Sequence, residues 1–462
     1  MLPPRTVITE GDAAQILRPY GLRLRALRPL YRGTINSNYY IESDAGPAFL
    51  RLCEGKTDAD LRFESRLIWH LTSHGLRTPE LWHAHYRDPY VKFRREGALL
   101  PQAAMLFEWV KGVEYLDSEI DRERAFGVGQ LLGQFHLCAA TLPPDVAGLP
   151  RSKGELASVH REGIYGLPQI RKRLLGLQLR PAARGSLGAV VDELMAEATR
   201  LLASRPRGLP SGLGHCDLFP DNLLFPRRRR RTKGAGAQGA HGSHGSEDGW
   251  VLDLEQVATT SYIYDVAVAL LAFCAPAPSW PPLSAEGGAG EAAPLDPVAT
   301  EPTAIEEPPA GSAVVAGSAV VAGSAVVAGS AVVAGSAVVA GSPVAAGSVD
   351  TAPRLGPLRR EPARALLDGY QSMRVLGDAE WQALPGELRC AAVRFTTTRL
   401  TDVHLRARAA GPPAASAPAA AHLAARPPGP PPPPHSKDYR DFLWRLRRLK
   451  ELSSDELLDA LR

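Results

Sequence analysis

A histidine, an aspartate two residues on and an asparagine five residues beyond that stand together in His215-Cys216-Asp217-Leu218-Phe219-Pro220-Asp221-Asn222. The H-x-D-x-x-x-x-N spacing is that of a loop built for phosphoryl transfer. Asp217 is the candidate base that positions an attacking hydroxyl and accepts its proton late. Asn222 offers a neutral oxygen to magnesium. A charged oxygen follows in Trp250-Val251-Leu252-Asp253-Leu254-Glu255, where Asp253 ends an apolar run. Magnesium takes few protein oxygens and leaves the rest of its shell to phosphates and water, so Asn222 with Asp253 is a sufficient pair. His215 belongs to this catalytic segment chiefly as a buried ring that hydrogen-bonds the loop backbone. Cys216 has no assigned chemistry and reads as a small buried residue.

Such a site needs cations for the nucleotide. Arg51 lies in Ala48-Phe49-Leu50-Arg51-Leu52, where enzymes of this chemistry place a Lys paired with a helix Glu. Arg binds phosphate through a fork and is not equivalent to Lys. Glu64 is its candidate partner, against the alternative of an ordinary surface pair. Gly33-Thr34-Ile35-Asn36-Ser37-Asn38 has a single Gly, which makes it a poor phosphate loop by composition. The Asn36, Ser37 and Asn38 side chains are candidate donors instead, and a plain hairpin turn is the alternative. Glu255 stands two residues beyond Asp253, on the same side of an extended chain, and reads as an extra metal group or a substrate contact.

The elements required to hold these groups give an α+β chain. Residues 1–107 read as a small mixed unit that opens with a helix capped at Thr9. Strands follow around Tyr39–Ile41 and Ala48–Leu52, with an amphipathic helix at 60–74 and a buried strand near Ala103–Val110. From 108 to 462 the pattern is helical, with helices at Ala125–Ala140, 187–204, Tyr264–Cys274, Ala363–Tyr370 and Leu388–Leu405. A basic amphipathic helix and a capped tail close the chain between Ser436 and Leu461. Three stretches break the pattern, at about 226–249, 276–357 and 407–435. The first holds Arg227–Arg231, and the second a Gly-Ser-Ala-Val-Val-Ala repeat running from Gly311 to about Ala340. They read as inserted disordered loops, because the repeat lacks the large residues that would fill a solenoid core.

Lys plus Arg number 53 and Asp plus Glu 49, too even a balance to suggest nucleic acid or an anionic membrane as partner. The five cysteines include no C-x-x-C pair, so no zinc site or disulfide framework is expected, and a reducing cytoplasm fits. No signal-like or membrane-spanning run is present, which leads to the expectation of a soluble cytoplasmic protein. Oligomeric state is not legible.

Four stretches give the chain its resemblance. They are Gly33–Tyr40, His215–Phe225, Tyr264-Asp265-Val266-Ala267, and Leu366–Arg374 continuing to Val393–Leu400. They resemble the aminoglycoside phosphotransferase/choline kinase superfamily, and within it the bacterial homoserine kinases of protein-kinase-like fold. The resemblance implies two lobes, a small β-rich N-terminal one and a larger helical C-terminal one, with ATP and Mg2+ between them. It implies Asp217 as base, Asn222 and Asp253 as magnesium ligands, and Asp265 as a buried support of the catalytic loop. It further implies transfer of the γ-phosphate of ATP to a hydroxyl, that of L-homoserine in threonine biosynthesis. Where Glu255 stands the family usually has an aromatic, and at Leu271 and Phe273 it commonly has Asn and Trp. A free amino acid needs a cation for its carboxylate, for which Arg394 and Arg399 are candidates, and an acid for its ammonium, for which Glu255 is one. Two other readings stay open: a kinase of another small metabolite, choline-like or aminoglycoside, and a kinase-fold scaffold without catalysis.

Overall fold

The computed structural model describes residues 6–30, 36–85, 88–95, 97–143, 163–179, 187–226, 249–276, 356–405 and 437–462. Gly33, Thr34, Ile35, the Arg227–Arg231 run, the hexad repeat and nearly all of the three low-complexity stretches lie outside these residues.

The N-terminal part is a five-stranded antiparallel sheet in the order β1-β2-β3-β5-β4, formed by Leu24–Leu30, Ser37–Ser43, Gly46–Cys53, Gln102–Glu108 and Val91–Phe93. The β2–β3 turn closes through Gly46 at φ 109°, a conformation open to glycine and costly for other residues. β1 was not foreseen, because Leu24-Arg25-Ala26-Leu27-Arg28-Pro29-Leu30 lacks a two-residue alternation. It is an edge strand, where Pro29 is tolerated.

Strand alternation divides this sheet into two faces. Ala48, Leu50 and Leu52 of β3 join Tyr39, Ile41, Ala104 and Leu106 in one small core. Helix α1 (Glu10–Leu17) covers that core with Ala13, Ile16 and Leu17, and starts in a capping box between Thr9 and Asp12. The intervening residues Phe49, Arg51 and Cys53 face the other way, toward helix α2 (Asp58–Ser73) and the rest of the molecule. That face continues into the main core, which runs unbroken through the C-terminal helices.

The helical part contains α3 (Arg122–Ala140), α4 (Leu167–Gln178), α5 (Gly188–Ser204), α6 (Tyr262–Phe273), α7 (Arg360–Gln371), α8 (Asp378–Thr398), α9 (Tyr439–Lys450) and α10 (Ser454–Leu461). Two short ribbons sit among them. β6 (Ser211–Gly214) pairs with β9 (Ala258–Ser261), and β7 (Leu223–Leu224) pairs with β8 (Trp250–Val251). A small antiparallel sheet against a larger helical part makes this a bilobal, protein-kinase-like α+β fold. α8 begins ten residues before the expected Leu388, because Pro385-Gly386 reads as a break yet lies inside the helix. After Thr398 the chain widens into a π-helical turn, Arg399–His404. Just before it, Thr396 and Thr397 donate their hydroxyls to the carbonyls four residues back, a habit that bends helices.

α3 and α7 cross through glycines. A Cβ on Gly129 would lie 2.0 Å from the Leu366 carbonyl oxygen, and one on Gly369 would lie 2.0 Å from that of Phe126. The close crossing brings Tyr370 against His136. Gly369→Ala is therefore expected to force the helices apart and destabilise the fold by about 1–3 kcal/mol or more. Denaturant unfolding checks this; an unchanged midpoint would refute the tight crossing.

Candidate active site

The buried helix α6 supplies the central support. Asp265, wholly buried, accepts hydrogen bonds from the backbone N–H of His215 at 2.6 Å and of Cys216 at 2.7 Å. Its Oδ2 also meets His136 Nε2 at 3.0 Å, and His136 Nδ1 meets the Tyr370 hydroxyl at 2.8 Å. The chain of contacts goes on through Arg374, which donates to Tyr370 at 3.3 Å and to Glu380 at 2.9 Å. Asp265 thus occupies the supporting position that the Tyr-Asp pair led us to expect, and Leu366–Arg374 bears on the site through Tyr370 and Arg374. His136 was missed by sequence reading, since a lone His on an apolar helix face gives no signal of its partners.

Cys216 has φ 64° and Asp253 φ 55°. Among the described residues these are the two non-glycine positions in the left-handed region, and both flank the candidate chemistry. Backbone of this kind persists only where surrounding contacts fix it, and such positions cluster at functional sites. Asp265 fixes the first, by holding two successive N–H groups.

The catalytic loop is tied to the Asp253 strand at several points. His215 Nε2 donates to the Leu252 carbonyl at 2.9 Å, while its Nδ1 accepts from the Asp217 N–H at 3.3 Å. Burial pushes the imidazole pKa down, so the ring is neutral and both nitrogens serve the backbone. His215 is therefore a clamp between the two strips, with both ring nitrogens engaged by the backbone. The Leu252 N–H donates to the Asn222 carbonyl at 2.9 Å, and β7 pairs with β8 just beyond. Asn222 donates its side-chain N–H to the Asp217 carbonyl at 2.8 Å, which sets the orientation of its amide. Asn222 and Asp253 thereby come to one place from positions 31 residues apart in sequence. Their amide and carboxylate oxygens are hard donors, the kind a magnesium ion takes.

Asp217 receives a hydrogen bond on Oδ2 from Gln256 Nε2 at 2.7 Å. Gln256 Oε1 accepts in turn from Arg394, which also donates to the Cys216 carbonyl and, at 3.2 Å, to the Tyr264 hydroxyl. Arg394 lies 4.0 Å from Asp217 Oδ1. Its hydrogen-bonded partners here are all neutral. Gln256 was not anticipated, because the sequence offers no spacing rule for a residue so close after Asp253. A cavity of about 330 Å³ opens beside Gln256 and Arg394, with Tyr165, Thr259 and Ser261 also on its wall.

Arg399 is not brought to this place. It stacks over Phe442 at 4.4 Å and lies 3.6 Å from Asp441, joining the π-turn to α9. Five residues along a helix turn the side chain about 140° from Arg394, so the two arginines cannot serve one pocket. Leu271 and Phe273 are also elsewhere: both are fully buried within α6 and neither lines the cavity, so their departures from the family pattern do not touch an acceptor there.

On the opposite side Arg51 donates to Glu64 at 2.5 Å and to Glu255 at 2.8 Å, and lies over the Phe107 ring. The Arg51–Glu64 pair is buried, not a surface pair. Glu255 also receives Asn36 Nδ2 and lies 3.3 Å from Lys56 Nζ. Burial alone would raise its pKa; Lys56 and Arg51 hold it below the usual carboxylate range. Glu255 is thus turned to the sheet, and does not present an acid to an acceptor beside Arg394. Asn36 and Asn38 share the Arg51 face of the sheet, Asn38 directly opposite Arg51. Ser37 points to the other face, where its hydroxyl donates to Glu54 at 2.9 Å and accepts from the Thr6 N–H at 2.7 Å. It is therefore not placed to donate into the cleft.

The fold and this constellation define a phosphotransferase with an alcohol group as acceptor. Residues 26–235 match the phosphotransferase enzyme family (APH). A homoserine kinase of Methylocella silvestris is 29% identical over 276 residues, covering 58% of this chain and 71% of the relative. One from Beijerinckia indica is 28% identical over 271 residues, with the same shares. Among solved structures, amicoumacin kinase hAmiN in complex with AMP-PNP, Ca2+ and Ami aligns over 86% of each chain at a TM-score of 0.47 and 14% identity, too distant to bear on this site.

Stability should report on Asp265. Burial raises its carboxyl, but the hydrogen bond and charge of His136, with the backbone N–H donors, bring it below the ordinary Asp range. As pH falls the unfolded chain takes up this proton before the folded one. The contribution is therefore whole at neutral pH and is lost as acid passes through and below the ordinary carboxylate range. In denaturant unfolding at a series of pH values, Asp265→Asn should have a flatter acid limb than the unaltered protein; coincident limbs would contradict the assignment.

Proposed function

We propose that the protein is an ATP-dependent, Mg2+-dependent small-molecule kinase whose leading acceptor is L-homoserine. The observation that carries this reading is the convergence of Asp217, Asn222 and Asp253 around a loop whose backbone Asp265 fixes. Asp217 orients the acceptor hydroxyl and takes its proton as the bond to phosphorus forms. Gln256 and Arg394 hold the carboxylate in place for that task. Asn222 and Asp253 are assigned to the metal, which when bound neutralises developing charge on the phosphates. Nucleotide phosphates lie between these oxygens and the Arg51 side of the cleft, with residues 1–107 as the nucleotide lobe and the helical remainder as the acceptor lobe.

The acceptor assignment draws on the cavity as well as on the relatives. Arg394, hydrogen-bonded to neutral partners and 4.0 Å from the Asp217 carboxylate, keeps part of its positive field at the cavity wall, where it suits a carboxylate. Arg205, also on the wall, is paired with Glu387 at 2.8 and 2.9 Å and adds little net charge. A zwitterionic amino acid bearing a hydroxyl fits this better than a polycationic aminoglycoside. The orientation of Glu255 toward the sheet removes a candidate partner for the homoserine ammonium, which favours the second reading, a kinase of another small metabolite. No helix among the described residues is long and apolar enough to cross a membrane. We place the enzyme in the cytoplasm, where ATP and free amino acids are at hand.

Coupled ADP release, with the product checked by mass, should show turnover with L-homoserine and little with choline or an aminoglycoside. Activity confined to another acceptor would remove the homoserine assignment, and silence on all of them together with no ATP binding would remove the kinase reading. Asp217→Asn should lower turnover by about 10²-fold or more with the fold intact. Arg394→Ala should depress turnover and raise KM for the acceptor, whereas Arg399→Ala should lower the melting temperature and leave KM unchanged. Equal KM effects at both positions would contradict the geometry.

A further inference from the structure

Arg51 stands where the sequence led us to expect the phosphate-binding cation, yet its guanidinium is committed. One nitrogen is 2.5 Å from Glu64, the other 2.8 Å from Glu255, and the plane rests over Phe107 at 4.8 Å. The side chain is 3% exposed. A planar fork that already satisfies two carboxylates cannot turn to a third anion without leaving a buried charge unpaired.

A second cation lies in the same cluster. Lys56 follows Gly55, which takes φ 67° to turn the chain from β3 into α2, and its buried ammonium forms an ion pair with Glu255 at 3.3 Å. Burial would lower the Lys56 pKa; Glu255 and Glu64 more than offset this and keep the ammonium charged. Glu255 is two residues from Asp253 and also holds Asn36, at the entrance to β2. Lys56 therefore sits where β2, the β3–α2 turn and the candidate metal strand meet. Lysine is a point charge with three donors on a flexible stem, suited to trade one anion for another.

We infer that Lys56 is the cation that takes the nucleotide phosphates, leaving Glu255 for phosphate oxygens while Arg51 keeps both of its carboxylates. The exchange balances charge: Glu255 retains Arg51 and Asn36, and the incoming phosphates gain the ammonium. This makes Lys56 a nucleotide-binding residue, and makes Glu255 its resting partner and a competitor of phosphate. The inference rests on the reading of this cleft as a nucleotide site.

Calorimetric titration with ATP, and separately with adenosine, tests it on four proteins: unaltered, Lys56→Met, Glu255→Gln and the double variant. Lys56→Met should weaken ATP by about tenfold or more and leave adenosine unchanged, as expected for loss of one charge-assisted phosphate contact. Glu255→Gln should bind ATP at least as tightly as the unaltered protein. The double variant leaves no unpaired carboxylate, so it guards against misfolding, and it should lose the same factor relative to Glu255→Gln. ATP affinity equal in Glu255→Gln and the double variant would overturn the role of Lys56, as would equal losses for ATP and adenosine. If the unaltered protein bound adenosine and ATP not at all, the nucleotide reading of the cleft would fail, and this inference with it.

Discussion

The Asp265 carboxylate gathers the structure around it. It is buried in α6, accepts the backbone N–H groups of His215 and Cys216, and is met from behind by His136. Cys216 donates the second of these N–H groups and takes φ 64°, so the chain turns sharply just after the pair, on its way to Asp217. A buried, charged acceptor with several donors resists rearrangement, because loss of any donor leaves part of an ionised group unsatisfied. The bend sets the direction of Asp217, and the His215 ring transmits the same constraint to Leu252 beside Asp253. Much of the helical part can be understood as support for this one group. α3 brings His136, α7 brings Tyr370, and the glycines at their crossing allow the distance between them.

The catalytic segment was legible because its chemistry is local. Asp217 and Asn222 sit on one short loop, so residue type and spacing are nearly the whole of the geometry. Asp265 was visible through resemblance, and its function could be understood only once its two N–H donors were placed. Gln256 and His136 were not legible. Each works through partners brought by tertiary packing from other elements, and nothing in their own neighbourhood announces it. Arg399 and Ser37 show the opposite case, in which a suitable residue type near the right segment faces elsewhere. Helical rotation separates Arg399 from Arg394, and strand alternation separates Ser37 from Asn36 and Asn38. The fold was legible to a similar degree: strongly periodic helices were foreseen, whereas edge strand β1 lacks a two-residue alternation and the early start of α8 was masked by Pro385.

Charge is arranged differently on the two sides of the site. On the sheet side Arg51 and Lys56 face Glu64 and Glu255, two cations and two carboxylates that neutralise one another in a buried cluster. Such a cluster gives little net field until a polyanion enters and redistributes the pairs. On the helical side Arg394 is hydrogen-bonded to a backbone carbonyl, a tyrosine hydroxyl and an amide oxygen, and the Asp217 carboxylate 4.0 Å away offsets its field only in part. The first arrangement suits a ligand that arrives with several charges, and the second suits one that arrives with a single carboxylate.

The most direct test of the central claim is turnover by Asp265→Asn, measured beside its ATP affinity and unfolding transition. An amide oxygen cannot replace a carboxylate that accepts two N–H groups and pairs with His136. The account predicts a fall in kcat of about 10²-fold with ATP still bound and a cooperative transition retained, since the loss is one of geometry at Asp217. Turnover close to that of the unaltered protein, with ATP affinity and unfolding also unchanged, would contradict it.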